Sequence, residues 1–249
     1  MAFVVKPTKT EPQIVWEDTH FVVVEKPHGL PTAPLKEDDT DNLVYFITEK
    51  YPKAKNVKGK KSVEYGLLHR LDSETHGLVV MALDQPSYDF LWSEQLNNRF
   101  HKYYTAFCNF TDVAVRQTDT EFLIQSYFRP YGIKGRKVAP VSVEEFNQKT
   151  YTAKKCSSVL YTTRVIKIEK EQENYYKVLC CLTRGFRHQI RSHLSWMKYP
   201  IIADKLYNED CIEENIPLQL HACAVSFIHP VTGKKVFVSL RDFFTSETR

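Results

Sequence analysis

The stretch His69-Arg-Leu-Asp-Ser-Glu-Thr-His-Gly77 restricts both the fold and the chemistry of this chain. Two leucines precede it, and an apolar run of strand length, residues 78–83, follows it. Asp72 is therefore predicted to lie on a connection that buried structure anchors on both sides, and such loops often carry chemistry. The alternative is that Asp72 only caps a turn, with Gly77 supplying a positive φ. The motifs elsewhere in the sequence decide between these two interpretations.

The same stretch resembles the His-Arg-Leu-Asp-x-x-Thr-x-Gly motif of the RluA-type RNA pseudouridine synthases, and further strings follow in that family's order. Six motif segments in the right order, spread over residues 14 to 230, identify the chain as a member of this family. The other five are the segment 14–30, which ends in Lys26-Pro-His-Gly-Leu30, then Lys102-Tyr-Tyr-Thr-Ala106, Gly185-Phe-Arg-His-Gln-Ile-Arg-Ser-His-Leu194, Pro200-Ile-Ile-Ala-Asp-Lys-Leu-Tyr207, and Leu220-His-Ala222 with Phe227-Ile-His-Pro230.

Three departures from the family pattern lie close to the predicted chemistry. His76 stands where the family usually has serine. Phe186 and Arg187 replace an arginine and a threonine, and an alanine replaces the glycine before Asp204. The acid, the tyrosine and the last arginine of the motifs all remain. We therefore expect the departures to affect the choice of substrate more than the type of reaction.

The resemblance implies a role for three side chains. Asp72 is the expected essential carboxylate, which can attack the sugar or the uracil ring, or remove a sugar proton, without a cofactor. Desolvation beneath a nucleotide would raise the pKa of this carboxylate, so a cation must support it. Arg191 is the expected partner, through paired hydrogen bonds, and Arg70 is the second candidate. Tyr104 is expected to stack on the uracil and to assist proton transfer at C5.

Arg191 and Tyr104 also have purely structural interpretations. Arg191 shares a predicted helical face with His188 and Ser192, and an arginine on such a face usually meets solvent. A tyrosine in a strand is usually a packing residue, and strand alternation sends Tyr103 and Tyr104 to opposite faces. Motif position favours the functional role for Arg191 and for Tyr104.

Residues within or beside the motifs are predicted to contact the substrate. A uridine must leave its stack before it reaches Asp72, at a cost of about a few kcal/mol that is lowest in loops. A structured loop of ribosomal or transfer RNA is therefore the expected partner. The histidines form no metal-ligand pattern, and each is more readily structural than catalytic. The predicted substrate-binding residues are Arg70, His76, Lys102, Arg187 and His188.

The hydrophobic pattern predicts an α+β fold, a pseudouridine synthase-like catalytic domain whose central mixed or antiparallel sheet is flanked by helices and loops. Helices are predicted from residue 41 to 52 and from Pro86 through Leu96. Strands are predicted over residues 14–16, 21–25, 99–107, 122–127, 161–167, 175–182, 218–227 and 235–240. A single catalytic domain is expected over residues 14–245, behind a flexible segment, residues 1–13, with no separate N-terminal RNA-binding module.

The composition fits a cytoplasmic monomer that needs neither cofactor nor metal. A length of 249 residues with 43% hydrophobic side chains is enough for a substantial core. No apolar run approaches the roughly 20 residues that a bilayer helix needs, and the N-terminus lacks a secretory signal. The six cysteines show no C-x-x-C pair and no zinc spacing. Neither a P-loop nor a G-x-G-x-x-G motif occurs, which leaves nucleotide cofactors unsupported.

The net charge of +4 permits RNA binding without requiring it, and the distribution of the charge is more informative. Five lysines crowd residues 53–61, just before the Asp72 motif. A second cluster, Lys134, Arg136 and Lys137, lies beside two glycines. Both clusters are candidates for contact with a phosphate backbone, and the alternative for both is a solvated, solubilising loop.

Two other functions compete with the synthase interpretation. A hydrolase would use Asp72 with a second carboxylate, for which Glu74 is the candidate. Because the two residues are only two positions apart in one tight turn, their carboxylates are poorly placed to converge on one substrate bond. A non-catalytic RNA-binding or assembly protein could keep the synthase fold. The departures at His76, Phe186 and Arg187 support that second alternative, whereas the intact catalytic set opposes it.

Overall fold

The structure is a computed structural model of the chain, and it describes residues 11–36, 38–109, 121–148, 155–172, 175–209 and 216–240. Residues 1–10 of the predicted flexible segment, the predicted end of the domain at residue 245, and Cys211 lie outside the described residues. Among the described cysteines, all five are free thiols.

The described residues form ten strands and four α-helices. The strands are β1 (Gln13–Glu17), β2 (Phe21–Lys26), β3 (His76–Ala82), β4 (His101–Asn109), β5 (Phe122–Tyr131), β6 (Lys137–Val141), β7 (Tyr161–Gln172), β8 (Tyr175–Leu182), β9 (Leu220–Ile228) and β10 (Lys235–Ser239). The helices are α1 (Leu43–Lys50), α2 (Gln85–Leu96), α3 (Val143–Asn147) and α4 (Gln189–Trp196). Short 3-10 helices cover Pro52–Asn56, Ser62–Glu64 and Ile133–Gly135.

The chain divides into two compact units. The terminal unit takes its described residues from Lys6–Tyr104 and His221–Arg249, and the middle unit takes its described residues from Thr105–Leu220. The Asp72 loop lies in the terminal unit, whereas Arg191 lies in the middle unit. The single domain predicted over residues 14–245 stays a prediction.

The terminal unit is built on a mixed sheet. Strand β2 pairs antiparallel with both β1 and β3, and β10 pairs antiparallel with β9. Strands β3 and β9 are parallel, with His76 opposite His221 and Gly77 opposite Ala222. Every residue of β3 is buried, which explains its continuous apolar sequence. The ring of Phe227 stacks on Phe100 at a centroid distance of 5.0 Å in this core.

The middle unit is built on antiparallel strands in the order β8-β7-β5-β6, with α4 packed against β6 and β7. The ring of Phe128 on β5 stacks on Phe186 at 4.9 Å and anchors a small core with Val138 and Tyr207. The buried ring of His193 on α4 lies between two hydroxyls, Ser126 Oγ and Thr163 Oγ1, each 2.8 Å from one ring nitrogen. The predicted α+β class with mixed and antiparallel sheet is confirmed.

Candidate active site

The Asp72 loop is a short connection that leads directly into β3. The backbone N–H of Thr75 donates to the carbonyl of Asp72 at 3.0 Å, which closes a turn. Asp72 is half-buried and precedes His76, the first residue of the fully buried strand. The prediction that Asp72 lies on a connection anchored by buried structure is confirmed.

A segment after β2 holds this loop by hydrogen bonds. The N–H of Gly29 donates to the carbonyl of Ser73 at 2.8 Å. The hydroxyl of Thr32 donates to the carbonyl of Leu71 at 2.7 Å and accepts from the N–H of Leu71 at 3.1 Å. Since β2 and β3 are paired, the two motif segments lie side by side, and the backbone on both sides of Asp72 is fixed.

Lys26, the last residue of β2, is a cation of the terminal unit whose charge interacts with that of Asp72. Its side chain is fully buried, and Nζ donates to the carbonyls of Pro27, Leu30 and Ser73 at 2.9, 2.7 and 3.1 Å. Burial lowers the pKa of Lys26 to about 7, and the charge of Asp72 acts in the opposite direction. Three carbonyl acceptors use all three protons of an ammonium group, so they also favour the charged form.

Lys26 belongs to the motif at residues 26–30, but its position beside Asp72 was not predicted from the sequence. A signal was present, because a lysine directly before a proline at the end of an apolar strand is unusual. Buried lysines are rare unless paired or hydrogen-bonded, and their charge then acts at short range.

Arg70, the second candidate for the cation beside Asp72, is directed to a different carboxylate. Its Nη1 donates to Oε1 of the buried Glu64 at 3.0 Å, while the rest of the side chain is exposed. Lys61 also lies 3.4 Å from that oxygen. Arg70 therefore forms part of a surface ion pair that fixes the segment before the loop, and its predicted contact with substrate stays a prediction.

Arg191 is buried in the middle unit, with 1% of its surface exposed. Its Nε and Nη2 each donate to one oxygen of Asp204 at 2.7 Å, and its guanidinium carbon lies 5.5 Å from the centre of the Tyr207 ring. The backbone N–H groups of Leu206 and Tyr207 also donate to Asp204. The interpretation of Arg191 as a solvent-facing helix residue is therefore wrong.

Asp204 is a second residue that sequence reasoning missed, although its motif was quoted. Arg191 forms paired hydrogen bonds with the two carboxylate oxygens of Asp204. Ala203, which replaces the family glycine, has φ +61°, a region that favours glycine. The turn that presents Asp204 thus has an alanine in a left-handed conformation. A role for Arg191 towards Asp72 stays a prediction.

Tyr104 is buried on β4, and its neighbour Tyr103 is half-buried. The ring of Tyr103 lies edge-on to Phe237 of β10 at 6.2 Å, so Tyr103 packs on that side of the sheet. This alternation agrees with the strand pattern, and the role of Tyr104 at the base stays a prediction. Lys102 is also buried, with Nζ 3.5 Å from Oε1 of Gln95 and 5.6 Å from the centre of the Phe100 ring.

His76 meets His221 at the start of β3, with ring centroids 3.9 Å apart. Burial lowers the pKa of His76 to about 4 and that of His221 to about 3. The charges of His28 and Lys26 act on His76 in the same direction. Both rings are therefore neutral at pH 7, and the substitution of histidine for the family serine fills a buried position beside the Asp72 loop.

His188 and Arg187, both predicted to bind substrate, contact other parts of the middle unit. Nδ1 of His188 lies 3.0 Å from the hydroxyl of Tyr207, and that oxygen accepts the N–H of Val138 at 2.8 Å. Nη2 of Arg187 donates to the carbonyl of Gly135 and, at 3.4 Å, to that of Lys137. Their contacts with RNA stay predictions.

Within the described ranges, no three His, Cys, Asp or Glu side chains group in a way that would hold a metal ion. The same ranges contain no helix that is long and apolar enough to cross a membrane.

Comparison with known families places these motifs in context. The model of the RNA pseudouridylate synthase family matches residues 20–196, which is more than half of the chain. The chain belongs to this family. The predicted enzyme class, an isomerase that forms pseudouridine in RNA, and the predicted likeness to RluA-type synthases are confirmed.

The relatives of this RNA pseudouridylate synthase include bacterial enzymes. "Ribosomal large subunit pseudouridine synthase D" of Zymomonas mobilis is 27% identical over 93% of this chain and 71% of its own length. The protein of that name from Neisseria meningitidis serogroup B is 27% identical, and the chain spans only 59% of its length. "Dual-specificity RNA pseudouridine synthase RluA" of Salmonella typhimurium is 25% identical over 90% of both chains.

A solved structure agrees on the fold. Human RNA Pseudouridylate Synthase Domain Containing 1 aligns with a TM-score of 0.65 and 20% identity, covering 93% of this chain and 84% of that one.

Proposed function

We propose that the chain isomerises uridine in a structured loop of ribosomal or transfer RNA, with Asp72 as the essential carboxylate. The observation that supports this role is the fixed position of Asp72 on a loop tied at both sides, with the charge of Lys26 acting on it. Relatives named for the large ribosomal subunit favour ribosomal RNA as the substrate. The protein acts as a cytoplasmic monomer and uses neither cofactor nor metal.

The reaction breaks the bond from C1′ to N1 of the uridine, rotates the uracil and joins it through C5. A carboxylate can open this sequence by attack on the sugar or the ring, or by removal of a sugar proton. The charges of Lys26 and Asp72 attract one another at this loop. Tyr104 provides an aromatic face for the uracil and a hydroxyl for proton transfer at C5.

Release of tritium from RNA labelled at uridine C5 tests this proposal, since formation of pseudouridine expels that hydrogen. Unmodified large-subunit ribosomal RNA and bulk transfer RNA, both made by transcription in vitro, are the substrates. We expect release by the native protein and none by Asp72→Asn. The matched control is Glu74→Gln, which removes the other half-buried carboxylate of the same turn and should keep activity.

Other outcomes would favour the alternatives. Tight binding of RNA without tritium release, in native protein and variant alike, would support the non-catalytic scaffold. Free uracil among the products, lost in both Asp72→Asn and Glu74→Gln, would support the hydrolase with two carboxylates.

A further inference from the structure

The turn that joins β5 to β6 has an unusual backbone. Three of its residues, Gly132, Lys134 and Gly135, have φ values of +75°, +52° and +66°. The N–H of Gly135 donates to the carbonyl of Gly132 at 3.1 Å, and that of Arg136 donates to Ile133 at 3.2 Å. A lysine at positive φ is uncommon, so surrounding contacts must hold this conformation.

Arg187 supplies such a contact from the loop before α4. Its Nη2 donates to the carbonyls of Gly135 and Lys137, at the turn and at the first residue of β6. The preceding residue, Phe186, stacks on Phe128 of β5 and anchors the loop that carries Arg187. Phe186 and Arg187 are the two residues that depart from the family pattern within the motif at residues 185–194. Together they join this loop to the hairpin of β5 and β6.

Cationic side chains surround the turn. Lys134 and Arg136 are exposed, and the head groups of Arg129 and Lys137 lie 5.8 and 5.9 Å from the centre of the Tyr131 ring. Contact with an aromatic ring restricts where a flexible cation can go. We call this group, the cations of residues 129–137, the basic turn.

Acidic groups only partly offset this charge. Glu209 acts on the Tyr131 phenol, whose pKa is raised mainly by burial, and Arg129 acts on it in the opposite direction. Glu145 and Arg129 likewise act in opposite directions on Cys156. Arg187 adds a further positive charge at the turn itself. Among the residues that the structure describes around this turn, positive charge is in excess, which suits a polyanion.

We propose that the basic turn contacts phosphates of the RNA substrate and that Arg187 is a positioning residue that holds it. This inference rests on the proposed function, which supplies RNA as the polyanion. Fixed cations neutralise phosphates and release counterions, so the affinity for RNA depends on salt. The departure at Phe186 and Arg187 then changes how the hairpin meets RNA and leaves the chemistry unchanged.

The salt dependence of RNA binding tests the first part of the proposal. Affinity for a fluorescein-labelled transcript of unmodified large-subunit ribosomal RNA is measured between 50 and 300 mM KCl for the native protein and for Lys134→Gln/Arg136→Gln. Two lost phosphate contacts should reduce the slope of log affinity against log salt by about 1.4–1.8. The matched control is Lys234→Gln/Lys235→Gln, which removes two exposed charges from the start of β10 in the terminal unit.

An unchanged slope for Lys134→Gln/Arg136→Gln would overturn the assignment, and so would an equal loss in the control, since the effect would then be general attraction. Circular dichroism of both variants checks that they fold.

The positioning role of Arg187 is tested by Arg187→Met and Arg187→Lys. Loss of the hydrogen bonds to Gly135 and Lys137 should release the turn. Loss of the Arg187 charge alone should reduce the slope of log affinity against log salt by about 0.7–0.9, and Arg187→Met should reduce it further. KM should rise while kcat at saturating RNA stays unchanged. Arg187→Lys, which keeps the charge and one donor group, should recover part of the loss. A salt slope reduced only by the amount expected for one lost charge would contradict the positioning role. A fall in kcat with no change in KM would also contradict it.

The binding assay separates this inference from the proposed function. Native protein that binds RNA through the basic turn but releases no tritium would contradict only the proposed reaction. Native protein that releases tritium with a salt slope independent of the basic turn would contradict only this inference.

Discussion

Lys26 links the Asp72 loop to the end of β2 through one buried ammonium group. It donates to carbonyls on both sides of the site, at Leu30 and at Ser73. The same group therefore places a positive charge near Asp72 and supports the conformation of the backbone next to it. Stability and catalysis should depend on Lys26 together.

We expect Lys26→Met to lose both properties. The carbonyls of Pro27 and Leu30 would lose their donor, whereas that of Ser73 keeps the N–H of Gly29. Each buried group left without a partner costs about 1–3 kcal/mol, so the free energy of unfolding should fall by about 2 kcal/mol or more. Urea denaturation measures this loss, and tritium release measures the fall in kcat. The control is Lys235→Met, an exposed lysine of the same unit, which should change stability by less than about 0.5 kcal/mol. A variant with native stability would contradict the account of Lys26.

Single residues also mark the limit of what the sequence predicts about the site. The pattern around Asp72 predicts its loop because apolar runs flank it directly. The partner of Arg191 cannot be found in this way, because Arg191 and Asp204 are 13 positions apart and meet only through the fold. The same holds for Arg187 and Gly135, whose contact joins two separate segments of the chain.

At the scale of elements, Gly77 fixes how closely β3 and β9 approach. Its φ is +121°, and a Cβ atom at this position would lie 2.2 Å from the carbonyl oxygen of Ala222 and 2.7 Å from its nitrogen. Backbone atoms of a buried strand cannot move aside cheaply. Glycine is thus required both by conformation and by space.

Gly77→Ala should therefore separate the two strands at the end nearest the Asp72 loop. Strain from the positive φ costs about 1–2 kcal/mol, and overpacking of the core costs about a further 1–3 kcal/mol. We expect the thermal midpoint to fall by several degrees and tritium release to fall with it. Gly233→Ala is the comparison, since that glycine also has positive φ but no atom within 4 Å of the added Cβ. Equal losses in both variants would show that conformation alone, without the close approach, explains the effect.

Most elements follow from the hydrophobic pattern, and the exceptions have physical causes. Strands β2, β7 and β8 begin where alternating or apolar residues predict them. Strand β6 was not predicted because it contains Pro140 and starts at Lys137, residues that disfavour strands. It forms because it pairs only with β5, at the end of the strand order of its unit, where proline is tolerated. The five-residue helix α3 depends on its capping box at Ser142, a local signal too short for periodicity.

At the scale of the whole molecule, buried histidines should make the chain sensitive to acid. Burial lowers the pKa of His193 and His221 to about 3 and that of His76 to about 4. In the unfolded chain these groups titrate near pH 6.5, so between pH 6.5 and about 4 the unfolded state binds more protons than the native state. Lys26, with its pKa of about 7, is mostly protonated in both states in this range and contributes little.

The free energy of unfolding should consequently decrease as the pH falls from 6.5 towards 4. Each histidine contributes a slope of up to about 1.4 kcal/mol per pH unit, and these three contribute up to about 4. Burial also lowers the pKa of His69, which adds to the slope in the same direction. Urea denaturation at pH 6.5, 5.5 and 4.5 measures the slope. In His76→Ser, which restores the usual residue of the family, the slope should be smaller by the contribution of one histidine, up to about 1.4 kcal/mol per pH unit. A stability that does not change over this range would contradict the neutral, buried state of these rings.

The parallel pairing of β3 with β9 also sets an order in time. His76 is paired with His221, and the ribosome adds the second residue 145 positions after the first. At about 5–20 residues per second, the growing chain waits about 7–30 s between these two events. During that interval β1, β2 and β3 can pair, and residues 66–68 can bond to the end of β3 at Val80 and Ala82. The start of β3, at His76 and Gly77, still lacks its partner on β9. A nascent chain in this state carries an open strand edge that is prone to association with other chains.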